Sequence, residues 1–155
     1  MLKIYLDNCC YNRPFDDQSQ DLIRLETEAK LIIQERIQLG LYSLVWSYIL
    51  KSENDENFSR DKREAIQAWQ YIATEYCPAS DEIVLKAKNF LTLGLKHKDA
   101  IHLVCAIKHQ CDYFITTDKK FLNKKKHFAD ISIINPIAFI LETEDNNENR
   151  SCDTC

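Results

Sequence analysis

Residues 98–118 read KDAIHLVCAIKHQCDYFITTD, an apolar helical pattern followed directly by an apolar strand pattern. Apolar residues recur at helical spacing from Lys98 to His109, which predicts a helix, and residues 112–117 predict a buried strand. Over the rest of the chain, helices of similar length alternate with short apolar runs. This alternation predicts parallel strand pairing. The predicted fold class is therefore α/β, a three-layer α/β/α sandwich with a mostly parallel central sheet.

The predicted elements on either side of this stretch follow the same alternation. Further strands are predicted at residues 2–6, 41–46, 75–78 and 131–134. Further helices are predicted at residues 21–38, 48–53, 65–73, 81–94, 119–126 and 136–141. Gly40 is placed to end the first of these helices, and Ser80 is placed to cap the fourth. Residues 8–20 are predicted to form a polar loop.

The chain of 155 residues has the length of one domain and an ordinary soluble composition. Apolar residues make up 45% of it and charged residues 28%. Only 2 glycines are present, which argues against a glycine-rich phosphate-binding loop. No apolar run approaches the roughly 20 residues of a bilayer span, and charge follows the first methionine too early for a signal peptide. We therefore expect a soluble, cytoplasmic protein with no membrane partner.

The net charge of −4 is concentrated in residues 142–155, which contain five acids and one base, Arg150. Residues 1–141 are therefore neutral overall. From Thr143 onward the sequence has no apolar periodicity, which is typical of a disordered segment. We predict one folded domain at residues 1–141 and an acidic, disordered tail at residues 142–155.

The seven cysteines indicate reduced thiols, because the chain is expected to stay in a reducing compartment. Cys152 and Cys155 have CxxC spacing, but no second pair completes a structural zinc site. We interpret them as part of the solvated tail.

Three acidic residues lie at positions where parallel sheets bind their ligands. Asp7 follows the first strand, Asp118 follows the strand at residues 112–117, and Asp99 opens the helix before that strand. Carboxylates held close together repel one another unless a cation lies between them. Mg²⁺ or Mn²⁺ suits an all-oxygen cluster, and such sites hydrolyse phosphate esters.

Three motifs resemble those of PIN-domain proteins: KIYLDNC at residues 3–9, DAIHLVCA at 99–106 and DYFITTD at 112–118. The resemblance covers residues 1–141 and implies a PIN-like nuclease domain there. It implies an endoribonuclease that depends on Mg²⁺ or Mn²⁺ and hydrolyses RNA. Many small PIN domains are the toxin of a bacterial VapBC pair, so the resemblance also implies an antitoxin partner and leaves a homodimer open.

The resemblance also implies a glutamate in the helix after the second strand. The segment SLVWSYILKSE at residues 43–53 offers Glu53 for this place, with Glu56 as the alternative. The catalytic and metal-binding residues implied by the resemblance are Asp7, Glu53, Asp99 and Asp118.

Several polar residues near these acids have both a functional and an ordinary interpretation. Asn8 and Thr117 could position a ligand carboxylate or could simply be turn residues. His102 lies one helical turn after Asp99 and is interpreted as a hydrogen-bonded packing residue rather than a base. The cations predicted to contact the RNA backbone, or else to form a solvated face, are Arg13, Lys119, Lys124 and Lys125.

Two other enzyme or signalling classes fit poorly, and one binding class stays open. A dehalogenase-like phosphatase needs a second Asp two residues after Asp7, where this chain has Cys9. A response-regulator receiver needs paired acids at the end of the first strand, but Asp16 and Asp17 lie well into a loop. A catalytically silent PIN-like module that binds RNA or protein is favoured if Glu53 points away from Asp7.

Overall fold

A parallel sheet of five strands forms the centre of the computed structural model, which describes the backbone of residues 1–152 and the side chains of residues 1–144. The strands are β1 (Leu2–Leu6), β2 (Tyr42–Ser47), β3 (Glu75–Cys77), β4 (Tyr113–Ile115) and β5 (Ser132–Ile134). Their order across the sheet is β3-β2-β1-β4-β5, and every pair is parallel. The predicted α/β class is confirmed, and the mostly parallel sheet is wholly parallel within these residues.

The helices connect successive strands and cover the sheet. They are α1 (Asn8–Asn12), α2 (Asp21–Gln38), α3 (Tyr48–Asp55), α4 (Arg60–Gln67), α5 (Trp69–Ile72), α6 (Asp81–Leu91), α7 (His97–Lys108), α8 (Lys119–Leu122) and α9 (Pro136–Cys152). Among the described residues, none of these helices combines the length and the apolar character that crossing a membrane requires.

The aromatic residues of β1 and β4 show how the helices divide into two layers. Tyr5 and Phe114 pair across these strands and stack at 5.3 Å, and Tyr5 also contacts His102 of α7. Tyr113, the residue before Phe114, points to the opposite face and packs edge-on against Phe139 of α9. Helix α7, which packs on α6, therefore covers one face, while α9, which packs on α2, covers the other.

The strand order changes direction at β1. Strands β2 and β3 lie on one side of β1, and β4 and β5 lie on the other. In open parallel sheets the crevice outside the carboxyl ends of the strands at such a point is the usual ligand site. Here that crevice lies between the ends of β1 and β4.

The segment predicted as a polar loop at residues 8–20 contains helix α1 and a 3-10 turn at Arg13–Phe15. Asp7 caps α1, because its side chain accepts a hydrogen bond from the Asn8 N–H. Cys10 and Tyr11 of this helix are fully buried. Tertiary burial of these two side chains therefore orders a segment whose polar composition suggests a loop.

The last helix, predicted to end near residue 141, continues to Cys152. Thr143 is buried, and its hydroxyl accepts a hydrogen bond from Arg36 of α2 at 3.3 Å. Glu144 pairs with the same guanidinium at 3.3 Å. Residues 142–144 therefore belong to the folded domain, contrary to the predicted boundary at residue 141. The side chains of the remaining acidic segment, including the pair Cys152 and Cys155, lie outside the described residues.

We expect Phe139→Ala to destabilise the domain by about 3–5 kcal/mol, because it leaves a cavity between α9 and the sheet. Phe139 is fully buried against Tyr42 and Tyr113. Leu141→Ala on the same helix is the matched control, since Leu141 is 59% exposed, and it should cost about 0.5 kcal/mol or less. Urea unfolding of both variants measures the difference. Equal midpoints would show that α9 does not pack on the sheet in solution.

Candidate active site

Asp7 is held in a fixed position at the carboxyl end of β1. Leu6 pairs with Ile115, so Asp7 follows beside Thr116. Its Oδ2 accepts a hydrogen bond from the Thr116 hydroxyl at 2.8 Å, and its Oδ1 accepts one from the Asn8 N–H at 2.8 Å. The carboxylate is only 5% exposed. A buried carboxylate with two donors has little freedom to turn away from the crevice.

Asp99 lies in the first turn of α7 and is partly buried. Burial, followed by the negative charges of Asp7 and Asp118, raises the pKa of Asp99 to about 6. The influence of Asp7 and Asp118 on this pKa indicates that the two acids lie near Asp99. That the three acids bind one ion together stays a prediction.

Asp118 follows β4 and begins helix α8. Its Oδ1 accepts hydrogen bonds from the N–H groups of Lys120 at 2.9 Å and Phe121 at 3.4 Å. Its own N–H donates to Thr116 Oγ1 at 3.1 Å. Thr116 therefore connects Asp118 to Asp7, because the same hydroxyl group contacts both residues.

Glu53, at the end of α3, points toward Asp7. Its Oε1 lies 2.6 Å from His102 Nε2, and its Oε2 accepts a hydrogen bond from the Asn8 amide at 2.8 Å. His102 Nε2 in turn lies 3.9 Å from Asp7 Oδ1. Glu56 is exposed and pairs with Lys98 at 3.6 Å. Of the two glutamates considered from the sequence, Glu53 is the one at the site.

His102 is buried in a chain of hydrogen bonds that ends on β2. Its Nδ1 lies 2.6 Å from the Tyr5 hydroxyl, which lies 2.6 Å from Ser47 Oγ. Burial lowers the pKa of His102, but the hydrogen bond to Glu53 and the nearby carboxylates outweigh this and raise it overall. For Glu53, burial raises the pKa, but the hydrogen bond and charge of His102 outweigh this and lower the pKa overall. Both shifts favour the charged forms of the pair, and His102 is a buried, hydrogen-bonded residue as the sequence suggests.

The side chain that positions Asp7 is Thr116, whereas the sequence pointed to Thr117. Thr117 contributes its N–H to Cys9 Sγ at 3.3 Å, and Cys9 donates to Asp7 Oδ2 at 3.5 Å. Asn8 lies where a positioning residue is expected, between Asp7 and Glu53. Tyr5 and Ser47 were missed because an apolar strand pattern does not show which polar atoms meet across it.

The predicted RNA-binding cations differ in their surroundings. Arg13 pairs with Asp16 at 2.9 Å and with the buried Glu26 at 3.2 Å, and its predicted phosphate contact stays a prediction. The ammonium group of Lys124 lies against Gly94, where a Cβ would be only 2.8 Å away. Lys119 and Lys125 are exposed beyond Asp118.

The carboxylate oxygens of the four acidic site residues suit a hard divalent cation, although they do not surround a single point. Among the residues that the structure describes, no group of three His, Cys, Asp or Glu side chains already forms a metal-binding arrangement. Asp118 Oδ1 caps α8, and both carboxylate oxygens of Glu53 are in contact with His102 and Asn8. The all-oxygen chemistry and the raised pKa of Asp99 nevertheless fit Mg²⁺ or Mn²⁺.

Comparison with known proteins identifies the fold class. No family model and no curated protein matches the sequence. The structure is similar to VapBC2 from Rickettsia felis bound to a DNA fragment from its promoter, with a TM-score of 0.52 and 12% identity, over 86% of this chain and 98% of that one. It is also similar to VapBC-1 from nontypeable Haemophilus influenzae, with a TM-score of 0.54 and 17% identity, over 87% and 98%.

At these identities the likeness is one of fold. The chain has a PIN-like α/β fold similar to that of the matched chains, which confirms the fold class predicted from the sequence.

We expect Asp99→Asn to stabilise the protein at neutral pH, by on the order of 1 kcal/mol after allowing for solvent screening. The folded state keeps the Asp99 proton up to about pH 6, whereas an unfolded chain releases it near pH 4. Wild-type stability should therefore fall as the pH rises from about 4 to about 6, and the asparagine variant should lack this decrease.

Urea unfolding between about pH 4 and about pH 7 measures this effect. Asp130→Asn, at an exposed acid just before β5, is the matched control and should follow the wild type. If Asp99→Asn also follows the wild type, the pKa of Asp99 is not raised in the folded protein.

Proposed function

We propose that the chain is an endoribonuclease that hydrolyses RNA phosphodiesters with the help of Mg²⁺ or Mn²⁺. The observation that carries this proposal is the placement of three acids near one another: Asp7 follows β1, Asp118 follows β4, and Asp99 opens α7. Burial, followed by the negative charges of Asp7 and Asp118, raises the pKa of Asp99 to about 6, and a bound cation would relieve the repulsion among these carboxylates. The carboxyl ends of β1 and β4 are where a parallel sheet binds its ligand.

The residues that would hold the cation are Asp7, Asp99, Asp118 and Glu53. A divalent ion there supplies an activated water and neutralises charge on the phosphate. The protein's own contribution is to hold the acids in place. Thr116 and the Asn8 N–H orient Asp7, and the Asn8 amide together with His102 orients Glu53.

The biological role that we propose is the toxin of a toxin–antitoxin pair acting in the cytoplasm. Both structural neighbours are VapBC assemblies, and this chain spans nearly the whole of each matched chain. The proposed partners are RNA as substrate, an antitoxin protein as inhibitor, and a second copy of this chain. The outward apolar residues of α2 offer surface for either protein partner; they include Leu22, Leu25 and Ile32.

A second candidate is a catalytically silent PIN-like module that binds RNA or protein. It is favoured by the engagement of Glu53 with His102 and by the absence, among the described residues, of three ligands already around one point. Such a module would bind RNA or a protein partner but would show neither RNA cleavage nor stabilisation by Mn²⁺. Thermal unfolding with and without Mn²⁺ separates the two candidates, because an ion that binds the folded state raises Tm.

We expect the purified protein to cleave single-stranded RNA in the presence of Mn²⁺ or Mg²⁺ and to lose this activity in EDTA. Asp7→Asn and Asp118→Asn should each reduce the cleavage rate by about 100-fold or more, since each removes a negative ligand. Glu28→Gln, at an exposed acid of α2, is the matched control and should leave the rate unchanged. Full activity of Asp7→Asn in a preparation free of other nucleases would contradict the proposal.

We expect the double substitution Lys125→Ala, Lys126→Ala to weaken RNA binding in a salt-dependent way. Both side chains are exposed beyond Asp118. Each lost phosphate contact should reduce the slope of log K against log salt concentration by about 0.7 on single-stranded RNA. Lys86→Ala on α6 is the control. An unchanged slope would place the RNA backbone elsewhere.

A further inference from the structure

A cavity of about 450 Å³ borders the acidic site on the side of Glu53. Its lining residues are Asn8, Glu53, Glu56, Asn57, Phe58, Ser59 and Lys62. Asn8 and Glu53 belong to the acidic site as well, and their side chains are joined by a hydrogen bond of 2.8 Å. The cavity is therefore continuous with the place where the acids converge.

Phe58 is the aromatic residue in the lining of this cavity, and its side chain is fully exposed. Lys62, also in the lining, places its ammonium group 5.7 Å from the ring centre of Phe15, which is 49% exposed. We call Phe15, Lys62 and Phe58 the aromatic strip. It presents two rings and one cation beside the acidic site.

The turn that carries Phe58 is held in place by partly buried hydrogen bonds. Asn54 is fully buried, and its amide donates to the Arg63 carbonyl at 2.8 Å. The Asn57 amide donates to Asn54 Oδ1 at 2.7 Å, and the Arg63 guanidinium donates to the Asn57 carbonyl at 2.8 Å. The exposed ring is thus carried by a pre-organised turn, which reduces the entropy cost of binding a ligand on it.

We propose that the aromatic strip is a nucleobase-binding site for single-stranded RNA. One base stacks on Phe58, the adjoining phosphate pairs with Lys62, and a neighbouring base reaches Phe15. This inference rests on the proposed function and specifies its substrate as an unpaired strand. Aromatic stacking beside a cation is how proteins bind single strands without reading their sequence.

The polar groups around Phe58 favour a nucleobase over an apolar peptide side chain. Asn57, Glu56 and Ser59, which carry amide, carboxylate and hydroxyl groups, line the same cavity as Phe58. A base offers a flat face to the ring and a polar edge to these groups. An apolar side chain would bury them without hydrogen bonds, which costs about 1–3 kcal/mol for each group.

The test measures RNA binding in the Asp7→Asn background, where cleavage is not expected, with a short single-stranded oligoribonucleotide containing 2-aminopurine. Phe58→Ala should weaken binding by about ten-fold or more and should abolish the quenching of 2-aminopurine fluorescence. Phe58→Tyr should restore both, because tyrosine retains the ring. Lys62→Gln should instead reduce the salt dependence of binding by one phosphate contact.

Tyr71→Ala is the matched control, since Tyr71 is an 86% exposed ring on α5 and is not among the cavity residues. It should leave binding and quenching unchanged. Unchanged binding by Phe58→Ala, or no RNA binding at all, overturns the inference. If RNA binding depends on Phe58 but the wild-type chain cleaves no RNA, the proposed nuclease activity is overturned and the inferred RNA-binding site is retained. If Phe58→Ala abolishes binding of a protein partner but leaves RNA binding unchanged, the aromatic strip binds that partner and the inference is overturned.

Discussion

The pairing of β1 with β4 is the interaction on which the rest of the structure depends. The Asp7 N–H donates to the Ile115 carbonyl at 2.9 Å, and this register brings Asp7 beside Thr116. A slip of one residue would turn Asp7 toward the other face of the sheet. Everything at the site follows from this register, because Thr116 holds Asp7 directly and Asp118 through its N–H.

This pairing places like charges close together, and the protein offsets part of the repulsion internally. His102 lies on the buried side of the cluster, where Tyr5 and Glu53 hold it and the nearby carboxylates raise its pKa. Lys98 adds a positive charge that lowers the pKa of Glu53 from outside. His102 also lowers the pKa of Asp99, but burial and the charges of Asp7 and Asp118 outweigh this and raise that pKa to about 6.

Much of the fold could be predicted because its signals are local. The bounds of β1 and α2 follow from apolar periodicity, and the Ser80 cap follows from residue type. Helix α1 and the extension of α9 could not be predicted, because burial of Tyr11 and the contact of Thr143 with Arg36 depend on distant parts of the chain.

The same distinction applies to the site. Motifs located the acids, and the choice of Glu53 over Glu56 needed the direction of α3. The role of Thr116 needed the strand register, since the two adjacent threonines have the same local sequence signal. The exposed ring of Phe58 had no signal in the sequence, because a single phenylalanine in a polar segment is compatible with either burial or exposure.

The sequence distance between the two halves of the crevice has a consequence for synthesis. The hydrogen bond from Thr116 to Asp7 joins residues 109 positions apart. A nascent chain emerging from the ribosome therefore carries Asp7 long before Thr116, Asp99 or Asp118 can reach it. Translation products that stop before these residues contain Asp7 but cannot form the crevice between β1 and β4. Whatever chemistry the crevice performs is withheld until translation of the domain is nearly complete, so the cell producing this protein is not exposed to partially active fragments.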